Sequence, residues 1–203
     1  MKLYFLSLCI MLAVSFAAKA QSKLIFKDKF MYTDVQVFNE TKRHSIPSLI
    51  DTGCSLCIID SIFAIDSCGI KEDELQTIPV NQTKDKISSA FIDSIFFCGK
   101  TYHKVYCLVA DLTGHYQKYA PKFIVGANIL RSGAWKFDME KNIVEPYDSN
   151  NKAKGTIYKW KNHEDYPDVA IDYIILDSKV NGKKHDLPLI QDVETINFNV
   201  VYM

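Results

Sequence analysis

The stretch Ser48–Asp60, "SLIDTGCSLCIID", places an acidic residue between two apolar runs. Asp51 ends the first run, and Thr52 and Gly53 follow before apolar residues resume. A carboxylate inside such a segment is unfavourable unless something compensates, because burying a charge costs free energy. The segment therefore predicts a strand, a glycine turn and a second strand, with a chemical reason for the carboxylate at the turn.

The composition limits the class of protein. The chain has 203 residues, of which 48% are hydrophobic, and it contains 24 Lys+Arg and 24 Asp+Glu. This length fits one domain with an extension, and the apolar content is sufficient for a core. Because the formal net charge is zero, there is no positive excess to neutralise phosphates, so we expect no nucleic-acid partner.

The N-terminus predicts a signal for export. Lys2 supplies a positive start, residues 3–18 are nearly all apolar or small, and Ala-Lys-Ala follows at 18–20. We therefore expect residues 1–20 to form a signal peptide that is cleaved near Ala20. The residue directly after this position is Gln21 and not a cysteine that could carry a lipid. No later segment is long and apolar enough to span a membrane. The mature chain is expected to be periplasmic or extracellular.

The rest of the chain is predicted to be mostly β-strand, because its runs are rich in Ile, Val, Phe and Tyr and several alternate in polarity. One short helix is predicted at 127–133, closed by Gly133, and a helical turn or two at 61–67. The predicted strands are residues 23–27, 33–39, 46–51, 56–60, 88–97, 104–112, 123–126 and 134–139.

A polar linker, residues 147–155, divides the mature chain into a domain at 21–147 and an extension at 148–203. The extension also contains strand-like runs. Residues 42–51, "KRHSIPSLID", align without gaps with residues 183–192, "KKHDLPLIQD". Two explanations stay open: chance within a shared strand pattern, or a degenerate start of a second lobe.

The Asp-Thr-Gly turn has a companion motif later in the chain. Residues 123–140, "FIVGANILRSGAWKFDME", combine apolar residues, a glycine, a short helical segment and a strand. Together the two motifs resemble the retropepsin-like aspartic peptidases, in particular secreted bacterial-type members with a single lobe, over roughly residues 23–147. The resemblance implies an all-β, retropepsin-like half-barrel with one short helix, followed here by a β-containing C-terminal extension.

The resemblance also implies a mechanism with Asp51 as the catalytic residue. Aspartic peptidases activate a water between two carboxylates that share one proton, because two like charges at close range do not both ionise. The motif occurs once, so a homodimer would bring together Asp51 of each chain. The predicted activity is an endopeptidase acting on peptides or proteins in acidic to mildly acidic conditions, without cofactor or metal. The residues expected to bind substrate or support the active site are Thr52, Gly53, Cys54, Val125 and Gly126.

Three features depart from the family pattern. Cys54 stands where Ala or Ser is usual, and the expected flap, residues 77–90, contains no glycine. In the repeat, Asp192 is followed by Val193 and Glu194 instead of Thr and Gly, so we do not expect it to be catalytic. These departures leave a second hypothesis, a catalytically inactive module that binds peptide or protein in the same cleft.

Five cysteines follow the predicted signal peptide, so at least one is unpaired within the chain. Cys54 and Cys57 form a Cys-x-x-Cys motif, but no second close pair or suitably spaced histidine suggests zinc, and no βαβ unit suggests a thioredoxin-like role. A structural disulfide that uses Cys98 or Cys107 is expected instead in an exported protein, and its pairing stays open.

Overall fold

The computed structural model describes residues 20–28, 30–79, 86–113, 122–147, 156–158, 160–162, 172–180, 183–188 and 200–202. Strands dominate this part of the chain, so the predicted all-β fold class is confirmed. The strands are β1 Ser22–Lys23, β2 Ile25–Lys27, β3 Phe30–Asn39, β4 Lys42–Ile50, β5 Cys57–Asp60, β6 Gln76–Pro79, β7 Lys86–Phe97, β8 Lys100–Ala110, β9 Phe123–Val125, β10 Trp135–Asp138, β11 Ile143–Pro146, β12 Thr156–Tyr158, β13 Trp160–Asn162, β14 Asp172–Val180, β15 Lys183–Pro188 and β16 Val200–Tyr202.

Six of these strands form a closed barrel. They are hydrogen-bonded in the order β3-β4-β9-β5-β8-β7, and β7 pairs again with β3 to close the ring. The β3–β4 and β7–β8 pairs are antiparallel hairpins, whereas β9 lies parallel to β4 and β5 lies parallel to β8. Closure leaves the barrel strands without free edges, and the extra strands β2 and β6 continue the sheet on either side.

The barrel interior is filled by side chains that alternate along each strand. In β8, Val105, Cys107 and Val109 are buried, while the residues between them are half-buried. Every second residue of this alternating strand therefore faces the barrel interior. The same interior contains Met31, Val35, Val37, Ile50, Ile59, Ile92, Ile95 and Phe123.

The predicted short helix is present as α1, Ala127–Leu130. It ends before Gly133, and Arg131 rather than Gly133 occupies the C-cap position. The turn predicted at 61–67 is a short π-helix, Phe63–Ser67, which begins where the Phe63 amide donates to Asp60 Oδ1 at 2.9 Å. A single 3₁₀ turn, Glu72–Glu74, leads into β6.

A second sheet forms beside the barrel in the order β1-β11-β10-β16-β12. Trp135 of β10 is buried, its ring lies 4.9 Å from that of Phe97 at a tilt of 58°, and its Nε1 donates to the Leu130 carbonyl at 2.6 Å. The strand β16, near the C-terminus, is antiparallel to β10, with Lys136 opposite Val201. Part of the extension is thus paired with the first domain.

The described parts of the two aligned segments are both second strands of antiparallel pairs. In β3–β4, Asn39 pairs with Lys42, and in β14–β15, Val180 pairs with Lys183, so two residues separate the paired strands in each case. The domain boundaries and the second-lobe explanation stay predictions.

Several predicted features lie outside the described residues. They are the signal peptide up to residue 19, the flap tip at 80–85, most of the linker at 148–155, and Asp192. In the described part of the chain, no helix is long and apolar enough to cross a membrane.

Candidate active site

Asp51 lies at the end of β4, at the point where the chain leaves the barrel wall. Its amide donates to the Val125 carbonyl at 3.0 Å, which extends the parallel pairing of β4 with β9 by one residue. Its side chain then accepts a hydrogen bond at Oδ1 from the Gly53 amide at 2.8 Å. Asp51 is therefore held by its backbone on one side and by its own turn on the other.

The carboxyl group of Asp51 is half-buried, and this burial affects its pKa. Burial raises the pKa above its ordinary value, while hydrogen bonds from the Gly53 and Cys54 amides oppose the shift. The net shift is upward because desolvation disfavours the charged form more than the two amides stabilise it. No second carboxylate in the described part of the chain contributes to this pKa.

Position 126 requires glycine because a side chain has no room there, and not because of its backbone conformation. Its φ of −94° is accessible to any residue, but a Cβ there would lie 2.3 Å from the Leu56 carbonyl oxygen and 2.8 Å from the Cys57 nitrogen. The two segments cross at this glycine. Gly53 is also confined, since a Cβ there would lie 3.3 Å from Asp51 Oδ1.

Backbone hydrogen bonds hold the loop after Asp51 to the start of α1. The Ala127 amide donates to the Cys54 carbonyl at 2.7 Å, and the Asn128 amide donates to the Ser55 carbonyl at 3.1 Å. The turn that carries Asp51 is thereby attached directly to the glycine motif.

Asn128 is a supporting residue that the sequence-based prediction missed. Its Oδ1 accepts from the Cys57 amide at 2.9 Å, and its Nδ2 donates to the Tyr106 carbonyl at 2.9 Å. The side chain therefore joins α1 to both β5 and β8. The only signal for it was a polar residue between the apolar residues Ala127 and Ile129.

The other predicted site residues lie around this crossing. Thr52 is 2% exposed, Val125 is fully buried, and Val125 supports Asp51 through its carbonyl. The half-buried thiol of Cys54 donates to the Leu56 carbonyl at 3.0 Å. Burial first, and then the charge of Asp51, raises the pKa of Cys54 to about 12, so the thiol stays protonated at neutral pH.

The expected structural disulfide is not formed in this structure. All five described cysteines are free thiols, and that of Cys98 faces the Val144 carbonyl at 3.8 Å. The described residues also contain no group of three or more His, Cys, Asp or Glu placed to hold a metal ion.

Asp60 is a buried acid with a structural role. Its carboxylate accepts from the Phe63 amide at 2.9 Å and from the Leu112 amide at 3.1 Å, so it fixes the end of β5 and the segment after β8. The sequence places it at a strand end, where an acidic residue often caps backbone amides.

Comparison with solved structures finds 50 similar chains, among them a retropepsin-like aspartic protease of low sequence identity. The chain is similar to the crystal structure of a retropepsin-like aspartic protease from Rickettsia conorii, with 17% sequence identity and a TM-score of 0.43, covering 61% of this chain and 87% of that chain. No protein-family model matches the sequence, and no curated protein matches it. Any functional argument therefore depends on this chain's own residues.

Proposed function

We propose that the protein is an aspartic endopeptidase in which Asp51 carboxylates from two copies of the chain activate one water. The observation that carries this proposal is the setting of Asp51. The carboxyl group is half-buried, attached through a glycine turn to the Gly126 motif, and raised in pKa by desolvation. A structural capping aspartate would more often be paired and have a lowered pKa.

The chemistry needs a second carboxylate, and no carboxylate of the described part of the chain contributes to the pKa shift of Asp51. Two such groups at close range share a proton, so one acts as base toward the water while the other donates to the scissile carbonyl. The upward shift already present in one chain favours this singly protonated pair. A two-fold dimer is the simplest source of the second group.

The hairpin of β6 and β7 is proposed to form the flap that lies over the bound peptide substrate. Ser89 Oγ donates to the Gln76 carbonyl at 3.2 Å, and the Tyr106 hydroxyl donates to Ser89 Oγ at 2.7 Å, which fixes the base of this hairpin to β8. We also propose export of the mature chain, on the strength of the N-terminal sequence alone.

Cleavage of a mixed peptide library from pH 3 to 7, with and without pepstatin, tests the proposal. Wild type should cleave in the acidic range, the inhibitor should stop it, and Asp51→Asn should lose at least about a hundredfold in rate, as removal of an essential acid–base group does. The matched control is Asp34→Asn, at an exposed acid on β3, which should keep wild-type activity.

Dependence on protein concentration separates the dimeric mechanism from one within a single chain. Activity per chain should rise with concentration and level off as the dimer saturates. A folded wild type that cleaves nothing across this pH range would overturn the enzymatic proposal. Binding of peptides by that inactive protein would favour the second hypothesis, a module that retains the cleft, for which the supporting observation is that no carboxylate of the described residues contributes to the pKa shift of Asp51.

A further inference from the structure

Cys57 and Cys107 lie directly opposite each other in the barrel wall. They are register partners in the parallel pair β5–β8, and both side chains are fully buried. Neighbouring strands lie about 4.8 Å apart. That spacing falls within the Cα–Cα range of about 4.4–6.8 Å that disulfides adopt. The register and the strand spacing are therefore compatible with a bond between these two sulfurs.

The Cys57 thiol also affects the protonation of Cys107. Burial first, and then the neighbouring Cys57 thiol, raises the pKa of Cys107 well above its ordinary value. Cys57 Sγ accepts from the Gly126 amide at 3.4 Å, and Cys107 Sγ lies 3.7 Å from the Val105 carbonyl. Both sulfurs thus point into the same part of the core, next to the crossing that supports Asp51.

The remaining cysteines have other hydrogen-bond partners, and Cys68 affects the pKa of Cys107 through its charge but is not its register partner. Cys54 bonds the Leu56 carbonyl, Cys98 faces the second sheet at Val144, and Cys68 follows the π-helix, where its amide donates to the Phe63 carbonyl. Among the strand pairs of the described residues, Cys57–Cys107 is the one register position at which two cysteines face each other.

We propose that Cys57 and Cys107 are a redox pair that forms an intrachain disulfide when the protein folds in an oxidising environment. One thiolate attacks a small-molecule disulfide such as oxidised glutathione, giving a mixed disulfide and one released thiol. The second protein thiolate then attacks the protein sulfur of that mixed disulfide. One protein disulfide forms, the small disulfide is reduced to two thiols, and the two protein thiols are oxidised.

The order of events follows from burial. Both residues are 0% exposed in the folded chain, so an external disulfide reaches them during folding or local opening. The bond would join β5, which follows the Asp51 turn, to β8. It constrains the unfolded chain over the loop between the two residues and so raises stability. This proposal goes beyond the peptidase proposal and does not depend on it.

The test is to refold the full chain from denaturant in either a glutathione redox buffer or excess dithiothreitol. Unreacted thiols are then alkylated, and the protein is digested and mapped by tandem mass spectrometry. In the redox buffer we expect Cys57 linked to Cys107, with Cys54, Cys68 and Cys98 alkylated. Alkylation of both Cys57 and Cys107, or linkage of either to another cysteine such as Cys54, would overturn the proposal.

Thermal unfolding gives a second readout. Oxidised wild type should melt several degrees higher than reduced wild type, and the difference should disappear in Cys107→Ser. In Cys98→Ser, a matched buried cysteine without a facing partner, the difference should persist. The peptide map of wild type decides the outcome even if a core serine prevents a variant from folding.

Discussion

Asp51 is a carboxylate that the fold half-buries at the end of a strand, and its burial has a consequence for stability. The folded-state pKa is raised above the ordinary value of 3.8, which the unfolded chain is expected to have. Between these two values the folded protein binds more protons than the unfolded protein, so stability falls as pH rises through this window. Above the folded pKa, the charged carboxylate of Asp51 lowers the free energy of unfolding by an amount that no longer changes with pH.

The variant Asp51→Asn should therefore be more stable than wild type at pH 7. The amide retains an oxygen for the Gly53 amide but has no charge to desolvate. As pH falls through the folded pKa toward the unfolded value, the difference in melting temperature should shrink to near zero. Calorimetry of both proteins from pH 3 to 8 measures this, and an advantage for Asn that grows on acidification would contradict the upward shift.

Gly126 gives a prediction of steric origin. Replacement by Ala puts a methyl group 2.3 Å from the Leu56 carbonyl oxygen, and both colliding segments are backbone. We expect Gly126→Ala to lower the free energy of unfolding by about 1–3 kcal/mol, as overpacking does.

The control for this variant is Gly133→Ala. There a new methyl would meet the Trp135 ring at 3.4 Å, an ordinary contact with a side chain, so the change should be small. Urea unfolding followed by tryptophan fluorescence measures both variants. Equal losses in the free energy of unfolding for the two variants would show that the chain crossing at Gly126 has room for a methyl group.

At the scale of elements, Asn128 joins the short helix α1 to two barrel strands. Asn128→Ala leaves the Cys57 amide and the Tyr106 carbonyl without this partner, at about 1–3 kcal/mol for each group that stays unpaired. Ser132→Ala is the matched control near α1, because it removes one hydrogen bond at an exposed residue. Chemical denaturation of the two variants should show a clearly larger loss for Asn128. Similar losses would mean that water replaces the bridge.

The sequence indicated most elements but not all of them, and the reasons differ. Alternation and β-branched content were sufficient for β3, β4, β7 and β8 because each is long and has one buried face. The strand β11 was missed because it has four residues and includes a proline at its end. In such short runs, pairing with a neighbouring strand outweighs local preference.

The residues of the candidate site also form two groups: those that the sequence indicates, and those that depend on how the strands pair. The Asp-Thr-Gly turn and Gly126 are visible as motifs, and the structure brings them together. The bridge through Asn128 and the facing pair Cys57 and Cys107 depend on which strands are neighbours, which local sequence does not specify. The parallel register of β5 and β8, built from residues 50 apart in the chain, is the information that was missing.

At the scale of the whole molecule, the edge of β10 connects the C-terminal strand to self-association. β16 pairs with β10 on the side away from β11, so the chain's own terminus covers that edge in the second sheet. An uncovered edge strand presents unpaired amides and carbonyls that readily accept another chain. The proposed peptidase needs a second copy, and the edge of β10 is a surface at which a copy could pair if β16 were absent.

A chain ending at residue 199 lacks β16 and should therefore self-associate more strongly than the full chain. Light scattering coupled to gel filtration, over a hundredfold range of protein concentration, would show a mass that moves toward the dimer at lower concentration in the truncated chain. The physical reason is that the backbone groups of β10 lose their antiparallel partner at Trp135, Lys136 and Phe137. Identical masses for the two chains at every concentration would mean that β16 does not regulate pairing, and the second carboxylate would then have to arrive through another surface.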